Sequence, residues 1–368
     1  ALRPDPELAE LIGLNPCGNT LSVGYIRVDS SFEPGYGIVS HALQFHGRAD
    51  LFALDGGEEF ACLYADKQAA KGYPAVVNHN YKKGHALAFV YNLPRSVVYT
   101  RQGNPELAGL ETDGIPGLRS LDLFTGGWVD TSNNTINQAD QQMALLSNCI
   151  GYMHKGSGPL PRFWYFPDTL SCLVTLTNDG EYRTEADFES QVRDVDSMGA
   201  KMSLYILETD KVSKPWADRW ISRGFEISAH PDDTEEAGHP GWNAMDRVLK
   251  NKKQEIESKY GVQVRTAVNH WFVWCGTDST GAQDFGAQAM LEEKNGIELD
   301  INYPLYDINS SQGPNYLGTP GINQGFHAGS GMVMKFASAR GRTIQVYQHF
   351  NAVYDQQYME RSDPEGFY

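Results

Sequence analysis

The residues able to do chemistry cluster where strand-like runs end in the second half of this 368-residue chain. Asn178-Asp179-Gly180-Glu181 follows the run 170–177, and His230-Pro231-Asp232-Asp233 follows 225–229. Asn269-His270-Trp271 follows 262–268, Asp300 lies within 297–301, and Gln348-His349 follows 343–347. Each has a plain explanation alone: Asn-Asp-Gly is a turn sequence, His-Pro-Asp-Asp suits a capped helix start, and His270 fits an aromatic cluster with Trp271 and Phe272. Together they fit a metal site better, because no helix interior in this half carries a histidine while three histidines follow strands. Two neutral imidazoles and a carboxylate suit Zn²⁺ or a similar divalent ion, and three protein ligands leave a position open for water. The pKa of that water falls to about 7, giving a nucleophile at neutral pH. Asp179, His230 and His270 are the expected ligands. Glu181 is the expected general base and His349 the acid that protonates a leaving group. Asp300 is a further catalytic candidate, and Arg265, Trp271 and His327 are the candidates for substrate contact. His239 and His327 lie in Gly- and Pro-rich loops, where histidine is more often exposed than catalytic.

The elements that must position these residues alternate. Helices are expected over 185–198, 215–223, 242–260 and 284–295, with strands over 201–207, 225–229, 262–268 and 297–301 between them. Apolar residues at Phe188, Val192, Val195 and Met198 give the first helix one buried face. Strand–helix alternation with short connections argues for a parallel sheet, open or closed into a barrel. In a closed βα barrel the chemistry sits at the C-terminal strand ends. Residues 1 to about 150 read differently, as short strands over 21–28, 59–64, 75–78 and 86–91 with helices over 7–14 and 138–150. Lys155-Gly156-Ser157-Gly158-Pro159-Leu160-Pro161 is the expected linker, which divides the chain into 1–154 and 160–368.

Composition narrows the partners. The 46 acidic and 30 basic residues give a formal charge of −16, which disfavours nucleic acid and anionic lipid. No run of 18 apolar residues exists, so no membrane insertion is expected. The five cysteines are scattered, without metal spacing, and read mostly as small buried side chains. Seven Trp and 19 Tyr are compatible with sugar-stacking surfaces.

At the strand-end residues the sequence resembles the polysaccharide deacetylase family of metal-dependent carbohydrate esterases. Thr177-Asn178-Asp179-Gly180 is similar to the family's Thr-Phe-Asp-Asp-Gly, and Glu226-Ile227-Ser228-Ala229-His230 to its histidine motif. Arg265 with Asn269-His270 stands where the third motif falls, and Gln348-His349 where the late histidine falls. The resemblance covers about 200 residues. It implies a distorted (β/α)7 barrel, an ion held by an Asp and two His, another Asp as base and the late His as acid. Two positions depart from the pattern. Asn178 replaces the family's base, which leaves Glu181 as its substitute. Thr234 replaces the second histidine of the motif, which leaves His270 to supply that ligand.

The first part, through Leu43–Asp50, Arg101–Pro105 and Gln138–Gln142, resembles a domain of bacterial deacetylase-like proteins related to class I glutamine amidotransferases. The resemblance implies a smaller α/β domain, with further strands ahead of Ala1. No cysteine stands on a Gly-flanked elbow, so no glutaminase activity is expected. The function implied is removal of acetyl groups from N- or O-acetylated sugars, in a secreted or periplasmic setting. Two alternatives stand beside it: a catalytically impaired carbohydrate-binding or assembly protein, and a metal-dependent amidase acting on a non-sugar substrate. Neither the oligomeric state nor the glycan follows from the sequence.

Overall fold

The computed structural model describes residues 5–112, 117–130, 133, 136–158, 160–161, 166, 168–207, 210–232, 241–304, 306–307, 315–316 and 332–351. The chain divides into two compact units. The first comprises residues 1–101, 129–163 and 325–330. The second comprises 102–128, 164–324 and 331–368.

In the first unit, α1 (Pro6–Ile12) precedes β1 (Leu14–Val28), β2 (Leu43–Leu54), β3 (Glu58–Tyr64), β4 (Ala70–Tyr81) and β5 (Gly84–Phe89). α2 (Leu93–Gln102) and α3 (Gln138–Met153) complete it, apart from Gln102, which is counted with the second unit. Asp5 caps α1 by accepting the Leu8 N–H at 2.8 Å. The sheet order is β2-β1-β3-β4-β5, and every pair is antiparallel. The expected α/β domain is therefore met only in having both helices and strands, because every strand pair is antiparallel and no α-helix crosses over between strands of the sheet. β2 and α2 were not among the expected elements.

The second unit alternates. β6 (Thr177–Asp179), α4 (Glu185–Ser197), β7 (Ser203–Ile206), α5 (Lys214–Ile221), β8 (Glu226–Ala229), α6 (Trp242–Tyr260) and β9 (Thr266–Ala267) follow one another. α7 (Ala287–Lys294), β10 (Leu299–Pro304), the short pair β11 (Tyr306–Asp307) and β12 (Asn315–Tyr316), then β13 (Met334–Ala337) and β14 (Thr343–Asn351) come after. The main sheet runs β13-β14-β10-β9-β8-β7-β6, parallel except for the antiparallel edge strand β13. No pairing joins β6 to β13 among the described residues, so of the expected distorted (β/α)7 barrel the structure shows a curled, seven-stranded half-barrel. The long first strand expected over 170–177 shrinks to the three residues of β6, and most of 170–175 is exposed.

The strand period of two sorts this sheet into two faces. Leu204 and Ile206 of β7, Ile227 and Ala229 of β8 and Ala267 of β9 turn to the helices. There they pack with Phe188 and Val192 of α4, Trp216 and Trp220 of α5, and Leu249 and Ile256 of α6. The opposite face carries Tyr205, Val268, Phe272 and Ile301. Toward the strand starts that face is polar. Tyr205 Oη donates to Thr266 Oγ1 at 3.0 Å, Thr266 Oγ1 donates to Glu226 Oε1 at 2.9 Å, and Ser203 Oγ bonds Glu226.

Register decides where the expected site residues fall. Asp179 is level with Tyr205, and His230 continues the alternation of Glu226 and Ser228. Both therefore belong to the face away from the helices. Asp300 is level with Ala267 and turns to the helix side, where it meets Glu292 of α7. Both carboxyl groups are fully buried, and burial pushes both above the ordinary carboxylate range; Asp300 raises Glu292 further, while the hydrogen bond from Glu292 pulls Asp300 down. A raised folded-state pKa means that stability is lost as pH rises from the unfolded value near about 4.3 through the folded value. Glu292→Gln keeps the acceptor and supplies a permanent donor toward Asp300. We expect it to raise the melting temperature by several degrees at pH 8 and to have little effect at pH 4, as differential scanning calorimetry would show. Equal shifts at both pH values would contradict this reading.

Cys149 and Cys275 are buried, Cys17 and Cys62 half-buried and Cys172 exposed, and all five are free thiols. No helix among the described residues is long and apolar enough to cross a membrane.

Candidate metal centre

β6 delivers Asp179 and then turns at Gly180, whose N–H donates to Tyr205 O at 2.7 Å. The turn is tight. A Cβ on Gly180 would lie 2.0 Å from Asp210 Oδ2. Asp210 is buried and accepts the N–H groups of Arg183 at 2.8 Å and Leu207 at 2.9 Å. One carboxylate thus ties the loop after β6, which carries Glu181, to the loop after β7. Burial raises the Asp210 pKa against those hydrogen bonds. Sequence reasoning passed over Asp210, although the same strand-end rule applied to 201–207 points to it.

β8 delivers His230, which is 2% exposed. Its Nδ1 lies 2.7 Å from Val268 O. A carbonyl can only accept, so Nδ1 holds the proton and Nε2 presents its lone pair. That Nε2 is buried and has no hydrogen-bond partner, and the same is true of Asp179 Oδ1. Orphaned buried polar atoms are costly unless something occupies the space between them.

His270 follows β9. Its backbone N–H donates to Pro231 O at 2.8 Å. Its Nδ1 meets Asp232 Oδ1 at 3.0 Å and its Nε2 meets Glu181 Oε1 at 3.1 Å. The rings of His230 and His270 stand 5.4 Å apart at 78°. One ligand atom from each of Glu181, His230 and His270 lies within 4.8 Å of the other two. Ligands of a tetrahedral zinc stand roughly 3.4 Å apart for bonds near 2.1 Å, so small side-chain rotations close the gap. The donor set, two imidazoles and a carboxylate, fits such an ion. Asp232 on the far nitrogen of His270 and Val268 O on that of His230 are the outer partners that metal-bound histidines ordinarily have.

The charges respond to one another. Burial lowers the His270 pKa, but hydrogen bonds to Glu181 and Asp232 outweigh it and the net shift is upward. The same bond to His270 holds Glu181 below the usual carboxylate range. Burial pushes Asp179 up, against the pull of the two imidazoles.

Two exposed aromatic residues adjoin these groups in sequence. Tyr182, next to Glu181, is 81% exposed, and Trp271, next to His270, is 49% exposed. Both have left-handed backbones, with φ 55° and 57°, a conformation that costs a bulky residue about 1–3 kcal/mol and concentrates at functional sites. The segment 117–119 braces this turn: Arg119 Nε donates to Trp271 O at 3.1 Å, and Trp274 N donates to Leu118 O at 2.7 Å.

The structure thus brings His230, His270 and Glu181 together, with Asp179 electrostatically coupled to all three. Other candidates lie elsewhere. Asp300 is on the helix side of the sheet. Arg265 precedes β9, at the other end of that strand from His270, and pairs with Glu298 at 3.5 Å. His349 shares the face of Asp179, but its strand β14 is separated from β8 by β10 and β9. Asn178 turns to α4, donating to Gln191 Oε1 at 2.7 Å. His327 and Thr234 lie outside the described residues.

No family model matches the chain, and no curated protein matches it. Among solved structures it is similar over short stretches to beta-galactosidases from Rahnella sp. R3 and Bacillus circulans sp. alkalophilus. The identities are 20% and 13%, each match covers 23% of this chain and 12% of the other, and both TM-scores are 0.20. A mutant of a CE4 family pseudoenzyme with restored enzymatic activity is 12% identical over 34% of this chain and 43% of its own, with a TM-score of 0.23. The chain spans less than half the length of each of these structures.

Proposed function

We propose that the cluster holds a divalent ion, zinc by its donor set, and that the protein is a hydrolase removing acetyl groups from N- or O-acetylated sugars. The observation that carries this reading is the approach of His230, whose buried Nε2 has no partner, to the contacting pair Glu181 and His270, with one ligand atom of each within 4.8 Å of the others. His230 Nε2, His270 Nε2 and Glu181 would hold the ion, which supplies a Lewis acid for the acetyl carbonyl and for water.

The protein groups do the rest. Asp232 keeps the proton on His270 Nδ1, so that Nε2 is the nitrogen offered to the ion. The approach of Glu181 to His230 and His270 supports reading it as a ligand rather than as the base expected from sequence. Asp179 is then the base: its buried carboxylate, with a pKa already raised, takes a proton from the attacking water. It returns that proton to the leaving amine or alcohol as the acyl bond breaks. Tyr182 and Trp271 offer apolar faces to a sugar ring at the mouth of the site.

The test is acetate release from acetylated amino-sugar oligomers, with and without a chelator. Zinc-dependent release that Asp179→Asn abolishes while zinc still binds would support the assignment. Zinc binding without release would favour a non-catalytic carbohydrate-binding protein, the reading that Asn178 in place of the family's base favours. Release from a non-sugar amide alone would favour an amidase.

Ion binding also has a pH signature. Without an ion, the raised pKa of His270 keeps a proton on Nε2 to above the ordinary histidine range. Binding must displace it. Zinc affinity should therefore fall about tenfold per pH unit below that pKa and level off above it. Calorimetry in two buffers of different ionisation enthalpy should detect proton release on binding that grows as the pH is lowered. Binding with no proton released would contradict the role of His270.

A further inference from the structure

Between β10 and α7 lies a polar cluster that takes no direct part in the ion site: Asp300, Glu292, Gln288 and Asn302, each with 0% exposure. Its centre is the Asn302 amide. Nδ2 donates to Asp300 Oδ2 at 2.5 Å and reaches Glu292 Oε1 at 3.4 Å. The Asn302 N–H donates to Asp300 Oδ1 at 3.1 Å. Oδ1 of the same amide accepts the backbone N–H of Asn269 at 2.6 Å. Ser120 Oγ holds the Asn302 carbonyl at 2.5 Å. A buried amide engaged at both ends has a single orientation.

Asn269 sits between the two groups that place the imidazoles. The residue before it, Val268, offers the carbonyl that orients His230 Nδ1, and the residue after it is His270. The Asn269 side chain closes the turn by donating to Val273 O at 2.7 Å. Any movement of this peptide shifts the His230 acceptor and the His270 backbone together.

We propose that Asn302 is the positioning residue of the ion site, its amide locking the peptide 268–270, and through it both imidazoles, to the buried Asp300–Glu292 pair. The proposal rests on reading the histidine cluster as a divalent-ion site. The chemistry accounts for the residue type. The carboxyl pair requires a donor and the Asn269 N–H requires an acceptor, and asparagine supplies both within one short side chain. An ionised aspartate supplies no donor, and leucine supplies neither group.

The experiment compares the full chain with Asn302→Ala and Gln288→Ala. It reads zinc affinity by competition with a chromophoric chelator, the visible spectrum of the cobalt form, and the melting temperature. Gln288 is the matched comparison, because it donates to Glu292 Oε1 at 3.0 Å and accepts the Cys275 N–H at 3.2 Å, at some remove from the Asn269 peptide. Both variants should melt at lower temperature. Asn302→Ala should lose about 10- to 100-fold in zinc affinity, the range typical for loss of an outer partner of a metal ligand, and should alter the cobalt spectrum. Gln288→Ala should stay within about threefold of the wild type. If Asn302→Ala does not fold, Ser120→Ala, which removes only the clamp on the Asn302 carbonyl, should lose affinity in the same direction by a smaller factor. A folded Asn302→Ala that binds zinc like the wild type overturns the proposal alone, as does equal weakening in the Asn302 and Gln288 variants. An unchanged Ser120→Ala, where only that variant folds, does the same. A wild-type chain that binds no zinc overturns the ion-site reading and this proposal with it.

Discussion

Zinc should raise the melting temperature of the wild-type chain by about 5–10 °C when present at a hundredfold excess over its dissociation constant, and His230→Ala should abolish the rise. At that excess, a ligand that binds only the folded state adds about 2.7 kcal/mol. For a unit of some 200 residues each kcal/mol is worth roughly 2–4 °C. His230 is the position to change because its two nitrogens have separate duties. Nδ1 is committed to Val268 O, while Nε2 is buried without a partner. Removing the ring leaves a cavity and strands Val268 O, so the ion-free variant should itself melt lower, and the diagnostic is the difference between its zinc and chelator scans. The loss should appear in the zinc-dependent increment, measured by scanning fluorimetry with zinc and with chelator. A His230→Ala chain that gains as much from zinc as the wild type would place the ion elsewhere.

Gly180→Ala should cost about 3–5 kcal/mol and remove zinc binding as well. The added methyl would stand 2.0 Å from Asp210 Oδ2, 2.8 Å from its Cγ and 3.0 Å from Tyr205 O. Overpacking alone typically costs about 1–3 kcal/mol. The carboxylate cannot step aside cheaply, because it satisfies the N–H groups of Arg183 and Leu207, and stranding them adds about 1–3 kcal/mol. The loop that moves is the one carrying Glu181, so stability and ion affinity should fall together. Urea unfolding and zinc titration of the same preparation measure both. The double variant Gly180→Ala/Asp210→Ala supplies the control. Removing the carboxylate relieves the clash, so its cost should be well below the sum of the single costs. Additive costs would show that the Cβ–carboxylate clash is not the cause.

Much of this architecture could be read from the sequence where periodicity was strong. α6 spans the expected residues, and α4, α5 and α7 fall within a few residues of expectation, because apolar spacing and terminal glycines mark them. Strand ends led to His230, His270 and Glu181, since residues following parallel strands share one rim. Which face a strand residue takes was harder to read. Asp300 sits between Leu299 and Ile301, and only its register with Ala267 sends it to the helices rather than to the rim. Arg265 was placed by motif position, whereas β9 starts after it. The strand-end rule points to the position of Asp210 but not to its role, because its partners are backbone N–H groups of two different loops. Sheet closure depends on pairing between the first and last strands, and alternation alone does not encode that pairing. The antiparallel first unit was missed for a related reason: short β runs fix strand existence but not direction.

The ligand shell of a zinc ion bound to this chain is the property on which the ion site rests most directly. X-ray absorption at the zinc edge, on wild-type protein loaded with one equivalent, reads the ligand shell without reference to activity. The expected result is a shell of nitrogen and oxygen at about 2.0–2.2 Å with the scattering pattern of two imidazoles, reduced to one in His270→Ala. A chain that retains no stoichiometric zinc would contradict the account. So would a shell with sulfur at about 2.3 Å, which would assign the ion to the free cysteines instead.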